Sequence, residues 1–337
     1  MNRRLIIIII IIILLIFGGV VFYSMTKKQP ANVENQAPLQ IRKVLDEAVI
    51  SPVGAYDNNS IWYFNTEGRL FKANTDGSNI SEYPLAALPK GILKSTLWPK
   101  TGSDFISIAA EGSKIYKDYF DGAGKFFINL AENIQWIEWL PDGKRVVYVW
   151  QSDDKKTQQL VMANADGSGY KTIASLFWPD LALKASPDGE TVLMYRSKIE
   201  GDTNKIYAAN LTTGVISTFV DAGKNTGALW LPVGNKFLYA QSPKIYLFDV
   251  LNKQSKDLNL NTTLDKVAVD ASAKYIYAAV PKLDKTGDYF VKVNLSSNIS
   301  ENYFVPDSEV RAKNVMLIGN TVYYTDSRDN KLYMIGR

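Results

Sequence analysis

Charged side chains gather in four short polar segments that apolar stretches separate. Each segment carries several charged residues close together, and such loops bind protein or polymer partners when a rigid scaffold holds them in place. Taken singly, each of these charges is more simply explained as solvated. The candidate binding residues in these segments are Asp153, Asp154, Arg196, Lys198, Lys282, Asp284, Asp326 and Arg328.

Two more candidates lie in the segment Leu-Phe-Trp-Pro-Asp at positions 176–180. Trp178 and Asp180 fall in a predicted connection between two strands, where an exposed aromatic ring is a typical binding feature. The alternative is that Trp178 anchors the loop by packing into the core. The residue type and its position leave both interpretations open.

The chemistry available to this chain is limited, because all 337 residues include neither histidine nor cysteine. A His-centred triad, a thiolate nucleophile, a disulfide and a His-ligated metal are therefore excluded. The Asp-Gly pairs at 76–77 and 166–167 are explained as turns, since no glutamate follows at the spacing of a calcium loop. We predict no catalytic residue, no metal and no cofactor.

A repeated unit explains how the polar segments are positioned. The turn Pro141-Asp142-Gly143 precedes an apolar strand, and the same arrangement recurs at Pro187-Asp188-Gly189 with weaker copies around both. The equivalent positions are 57, 100, 142, 188, 233, 271 and 318, so the spacing is 38 to 47 residues. A period of about 40–45 residues is typical of four-stranded propeller blades. Trp139 and Trp230 share one repeat position and are predicted to pack between blades.

The repeat predicts an all-β fold, a seven-bladed β-propeller of four-stranded antiparallel blades over residues 38–337. The seventh copy stops after its third strand, and a further strand-like segment, Leu39 to Leu45, precedes the first copy. We predict that residues 39–45 pair with the C-terminal blade and close the ring, because closure removes exposed strand edges.

The Pro-Asp-Gly turn, the strand after it and the hairpin at 164–168 (Asn-Ala-Asp-Gly-Ser) together resemble the WD-like repeats of the TolB-type propeller family. The resemblance covers residues 38–337 and implies an extracytoplasmic propeller that binds proteins. TolB-type propellers usually have six blades, whereas this sequence supplies seven. TolB itself has an extra N-terminal domain, which a bare tether replaces here.

The N-terminus predicts a membrane anchor. After a short tail at residues 1–4, an uninterrupted apolar run covers residues 5–23, which as a helix would span about 28 Å of hydrocarbon. It is long for a signal peptide and is followed by a poor cleavage site. Residues 24–37 are polar and aperiodic, as in a flexible tether. We expect a single transmembrane helix with a cytoplasmic N-terminus and an extracytoplasmic propeller, periplasmic or at the cell surface.

These observations favour a membrane-anchored binding or scaffold module for a protein or a cell-envelope polymer, and not an enzyme. One alternative is a propeller glycan hydrolase or lyase, which needs two carboxyl groups about 5–9 Å apart. Another is a structural subunit of an envelope complex. The net charge of +4 is small, and no basic stripe interleaved with aromatic residues is present, so no nucleic-acid partner is predicted.

Overall fold

The structure, a computed structural model, describes residues 38–337 except 56, 86, 88–89, 101, 197–203 and 222. The chain divides into two units, of which the larger runs from Gln40 to Gly336. The predicted tail, membrane helix and tether at residues 1–37 lie outside the described residues. Within the described residues no helix is long and apolar enough to cross a membrane, and the helical element is one 3-10 turn, Leu264–Lys266.

The described chain forms 27 strands. The strands of the first three blades are β1 (Gln40–Gly54), β2 (Ser60–Asn65), β3 (Leu70–Asn74), β4 (Ser81–Tyr83), β5 (Ile92–Leu97), β6 (Phe105–Glu111), β7 (Lys114–Asp121), β8 (Phe126–Asn129), β9 (Ile134–Trp139), β10 (Arg145–Gln151), β11 (Gln158–Asn164) and β12 (Lys171–Leu176). The remaining strands are β13 (Leu181–Ala185), β14 (Thr191–Arg196), β15 (Ile206–Asn210), β16 (Ile216–Val220), β17 (Asn225–Trp230), β18 (Lys236–Gln241), β19 (Lys244–Asp249), β20 (Gln254–Asn261), β21 (Val267–Val269), β22 (Tyr275–Pro281), β23 (Asp288–Asn294), β24 (Ser300–Phe304), β25 (Ala312–Ile318), β26 (Thr321–Asp326) and β27 (Lys331–Gly336).

The sheets show the seven blades directly. Five sheets have four strands each, and the sixth has seven strands in the order β25-β26-β27-β1-β2-β3-β4. That larger sheet is two four-stranded blades that share β1. Every strand pair within the sheets is antiparallel. The predicted fold class, a seven-bladed propeller of four-stranded antiparallel blades, is confirmed.

The shared strand β1 joins the two ends of the propeller. Its first part pairs with β27, with Gln40 opposite Gly336 and Lys43 opposite Tyr333. Its second part, from Val49 onwards, pairs with β2. The same 15-residue strand is therefore the outer strand of the seventh blade and the inner strand of the first.

The apolar core lies between neighbouring blades. One cluster joins Leu140, Val147 and Leu160 of the third blade to buried side chains of the fourth, among them Leu183 and Met194. Comparable clusters join the other neighbouring blades from the first to the sixth, and one joins the seventh blade to the first. Each sheet buries its faces against the next one, which is why no blade is stable alone.

Two faces of the propeller can be distinguished by their loops. Because successive strands of a blade are antiparallel, the loops between second and third strands and the connections between blades lie on one face, here called the upper face. The turns between first and second strands and between third and fourth strands lie on the lower face. In one of these turns Asp142 Oδ1 accepts hydrogen bonds from the backbone N–H groups of Lys144 and Arg145, both at 3.0 Å. Gly143 adopts a φ of 65° there, a conformation that favours glycine.

Three tryptophans tie adjacent inner strands together. The indole N–H groups of Trp98, Trp139 and Trp230 donate to backbone carbonyls of the preceding blade, at Ser51 (3.1 Å), Leu97 (3.0 Å) and Lys184 (3.0 Å) respectively. The role predicted for Trp139 and Trp230 from their shared repeat position is therefore present in the structure. Each ring packs between blades and also satisfies a carbonyl of the neighbouring sheet.

We expect Trp139→Phe to lower the free energy of unfolding by about 1–2 kcal/mol, because the ring packing is largely kept while the carbonyl of Leu97 loses its donor. The midpoint of urea unfolding measures the effect. Trp62→Phe is the matched control, since the Trp62 indole N–H makes no hydrogen bond within the described chain. Equal losses in the two variants would show that the hydrogen bond contributes nothing beyond packing.

Candidate functional site

Two of the predicted binding acids shape their own loops. Asp154 Oδ1 accepts hydrogen bonds from Ser152 Oγ (2.6 Å) and from the backbone N–H of Lys156 (3.1 Å). Asp284 Oδ1 accepts in the same way from Thr286 Oγ1 (2.7 Å) and its N–H (3.0 Å). These hydrogen bonds, that of the nearby hydroxyl first, lower the pKa of each aspartate. Both carboxylates therefore hold a turn on the upper face.

Asp153 and Lys282 each form a hydrogen bond that links their loop to the adjacent connection between blades. Asn133 Nδ2 donates to Asp153 Oδ1 at 2.7 Å. Lys282 Nζ donates to the carbonyl oxygen of Pro306 at 3.2 Å. Both contacts lie on the upper face, and both use the side chain to order the local backbone.

Asp326 and Arg328 are the predicted site residues that the structure brings into contact with each other. Arg328 Nε and Nη2 donate to the two oxygens of Asp326 at 2.9 and 2.8 Å, and Asp326 is 1% exposed. Burial opposes ionisation of Asp326, but the hydrogen bonds and charge of Arg328 outweigh it, and the pKa is lowered. The hydrogen bond to Asp326 also raises the pKa of Arg328. The charges of Asp326 and Arg328 therefore pair with each other within the seventh blade.

The remaining predicted residues are placed as follows. The backbone of Arg196 is held by Asn204, whose side chain bonds both its N–H (3.1 Å) and its carbonyl (2.9 Å). Lys198 lies outside the described residues. Asp180 is exposed and has a φ of 53°. Trp178 is half-buried and stacks on Tyr207, with ring centroids 4.1 Å apart.

The structure therefore places Trp178 as a loop anchor, and the exposed ring of this connection is its neighbour Phe177. Phe177 is 85% exposed. The ten predicted residues are spread over the third, fourth, sixth and seventh blades, with Trp178 and Asp180 in the connection between the third and fourth. Those that the structure describes do not converge on one site.

A different, concave site lies between the second and third blades. It is a cavity of about 620 Å³ that we call the blade 2–3 cleft. The β6–β7 turn and the β8–β9 connection contribute to it, so the cleft opens on the upper face. The described residues that line it are Ser95, Leu97, Ile108, Ser113, Lys114, Ile115, Lys117, Glu132, Ile134, Gln135, Trp136, Ile137, Glu138 and Lys184.

One wall of the cleft is a row of side chains across the second blade. Ser95 on β5 pairs with Ile108 on β6, and Ile108 pairs with Lys117 on β7. Directly paired residues of adjacent strands point to the same face of a sheet. The small side chain of Ser95 leaves space beside Ile108, and the opposite wall is provided by β9 with the buried Ile134 and Ile137.

Glu138 and Lys184 form an ion pair at the inner end of the cleft. Lys184 Nζ lies 3.1 Å from Glu138 Oε2 and 3.3 Å from Oε1. Burial raises the pKa of Glu138, and the charge of Lys184 opposes that shift. Burial would lower the pKa of Lys184, but the carboxylate of Glu138 outweighs it and raises the pKa. Each side chain of the pair therefore favours the charged form of the other.

The same ion pair also borders the central channel. A second cavity of about 340 Å³ is lined by inner-strand residues of five blades, including Ser51, Thr96, Asn314, Glu138 and Lys184. Glu138 is the carboxylate in this lining, and it is paired. Among the described residues no three Asp, Glu, His or Cys side chains group as metal ligands.

Comparison with known proteins gives the fold a context. No family model and no curated protein matches the sequence. The β-propeller domain of Cps50 (Swd1) from Myceliophteria thermophila aligns with 88% of this chain and 99% of its own, with a TM-score of 0.63 and 11% identity. TolB from Acinetobacter baumannii aligns with 80% of this chain and 67% of its own, with a TM-score of 0.51 and 14% identity. The chain is a β-propeller. At these identities the resemblance to TolB-type and WD-like propellers is confirmed as one of fold.

The Glu138–Lys184 ion pair has a signal in the sequence that no single motif contains. Glu138 and Lys184 lie 46 residues apart, the same spacing as Asp142 and Asp188, so they occupy equivalent positions in consecutive repeats. Opposite charges at one inner-strand position of neighbouring blades predict an ion pair. Aligning the repeats position by position would have indicated it.

Proposed function

We propose that this protein is a membrane-anchored, extracytoplasmic propeller that binds a partner protein through the blade 2–3 cleft. The observation that supports it is the cleft itself, a cavity of about 620 Å³ on the upper face whose wall surface is mainly apolar. Ligand sites in proteins are typically concave, mostly apolar and about 300–1,000 Å³ in volume, with a few polar groups that orient the ligand. The resemblance to TolB-type propellers favours a protein as the partner.

The point at which the chain enters the propeller agrees with this use of the upper face. β1 begins at Gln40, opposite the end of β27, and third strands end on the lower face. The described chain therefore enters the propeller on the face opposite the cleft, so this entry point leaves the upper face free.

Glycan cleavage is supported less well by the site. The acids that line the cleft, Glu132 and Glu138, are each within ion-pair distance of a lysine, Lys114 at 3.7 Å and Lys184 at 3.1 Å. A glycosidase needs two carboxyl groups that face the same bond from opposite sides. This arrangement favours a binding role over hydrolysis.

We expect Ser113→Trp to abolish capture of the partner, because Ser113 is an exposed residue at the mouth of the cleft and an indole there blocks entry. The measurement is affinity capture by the full chain, in detergent, from an envelope fraction of the source cells. Lys156→Trp is the matched control, since it adds the same ring to an exposed loop of the third blade on the same face.

Equal capture by the wild type and Ser113→Trp would exclude the cleft as the binding site. A polymer as the partner would appear as captured material that resists protease and is still lost in Ser113→Trp. Binding by the four charged polar segments stays a separate prediction, tested by replacing Asp153 and Asp154 with Gly-Ser in the same assay.

A further inference from the structure

The charges of the blade 2–3 cleft do not balance. Among the described residues its lining contains three lysines and two glutamates. Lys114 lies 3.7 Å from Glu132 near the mouth, where both side chains are largely exposed, and Lys184 pairs with Glu138 at the inner end. The third lysine is Lys117 on β7, three residues after Lys114. Its ammonium forms no hydrogen bond or ion pair within the described chain.

Lys117 is also separated from the carboxylate next to it in sequence. Lys117 pairs with Ile108, whereas Asp118 pairs with Ser107 and so points to the other face of the second blade. The carboxylate of Asp118 is 3% exposed and accepts a hydrogen bond from Asn129 Nδ2. Asp118 therefore does not neutralise Lys117.

The surroundings of Lys117 disfavour an unpaired charge. Its side chain is half-buried, and burial lowers the pKa of Lys117. Desolvating an ammonium group without a counter-ion costs free energy, which an anion bound beside it offsets. The cleft thus presents an apolar surface at Ile108 and Ile115, on the same face of the second blade as Lys117, with a single uncompensated positive charge beside it.

We propose that the blade 2–3 cleft binds a carboxylate attached to an apolar group, with the carboxylate at Lys117 and the apolar part against Ile108 and Ile115. This proposal rests on the proposed function, since it names the chemistry that the binding site selects. Charge complementarity commits the site to an anion, and the apolar walls exclude a fully hydrated one. The same chemistry is found in the C-terminal residue of a peptide and in a fatty acid.

Calorimetry with the full chain in lipid nanodiscs, with empty nanodiscs subtracted, tests the proposal. The probes are acetyl-Gly-Ile-Phe with a free C-terminal carboxylate, its C-terminal amide, octanoate and octan-1-ol. We expect the carboxylate member of at least one pair to bind about tenfold or more tightly than its neutral twin, because hydrogen bonds to a charged group are the strong ones. Preference for the peptide acid indicates a protein tail, and preference for octanoate indicates a fatty acid.

The variants assign the effect to one side chain. Lys117→Met is expected to remove the preference for carboxylates, and Lys117→Arg to retain it because the charge is kept. Lys156→Met, in an exposed loop of the third blade outside the cleft lining, is expected to leave the preference unchanged. Equal binding of acid and neutral probes, or an unchanged preference in Lys117→Met, overturns the proposal. If partner capture is still lost in Ser113→Trp, the proposed function survives that outcome, so the two failures can be told apart.

Discussion

A chain truncated to begin at Val49 is expected to unfold at a much lower urea concentration than one beginning at Pro38. The truncation removes the outer strand of the seventh blade, including Val44 and Leu45, which are 7% and 1% exposed and pack with Tyr323 and Leu332. Burying two such side chains contributes about 3–6 kcal/mol, and the lost strand pairing adds to it. This is a large part of the roughly 5–15 kcal/mol that stabilises a typical domain.

The measurement is urea unfolding followed by tryptophan fluorescence, with light scattering to detect aggregation through the uncovered edge of β27. The chain beginning at Pro38 controls for loss of residues 1–37. Leu45→Ala in that same chain keeps the backbone of β1 and is expected to cost about 2–4 kcal/mol, less than the truncation. Equal midpoints for the chains beginning at Pro38 and Val49 would show that the ring does not depend on this strand.

The number of blades was predictable because turn-forming residues mark the repeat. Asp142 and Gly143 form the turn for local reasons, the carboxylate accepting two backbone N–H groups and the glycine adopting a positive φ. Such chemistry is visible in a few consecutive residues. The extent of β1 was not predictable in this way. Its pairing shifts register between Lys43 and Ala48 and again between Ile50 and Val53, so its apolar pattern does not alternate as that of one strand.

The candidate site was less predictable because its residues come from separate segments. The polar segments indicated that Asp154 and Asp284 lie in loops, but not that each accepts a hydrogen bond from the backbone N–H of the residue two positions later. Whether an aspartate is hydrogen-bonded in this way depends on the geometry of the local backbone. The spacing Asp-x-Lys or Asp-x-Thr is nevertheless typical of a turn in which the aspartate accepts hydrogen bonds from its own loop. The blade 2–3 cleft forms where two sheets pack against each other, so no short sequence motif predicts it.

Lys184→Met is expected to lower the free energy of unfolding by about 2–4 kcal/mol at neutral pH. Removing one member of a buried ion pair leaves the other charge uncompensated, which typically costs about 3–5 kcal/mol. The value expected here is smaller because the side chains of Lys184 and Glu138 keep 33% and 20% of their exposure, so water screens the remaining charge. Combining Lys184→Met with Glu138→Gln is expected to restore most of the loss, because the unpaired carboxylate is then absent.

The loss in Lys184→Met is also expected to depend on pH. Burial already raises the pKa of Glu138, and without Lys184 nothing opposes that shift. A carboxyl group whose folded pKa exceeds its unfolded value of about 4.3 favours the folded state when protonated, and this contribution is lost as the pH rises through the folded pKa. Urea unfolding should therefore show a smaller deficit at pH 5 than at pH 8 for Lys184→Met. In the Glu138→Gln background the deficit should not change with pH. A deficit in Lys184→Met that is constant across this range would mean that Glu138 does not depend on Lys184 for its charge.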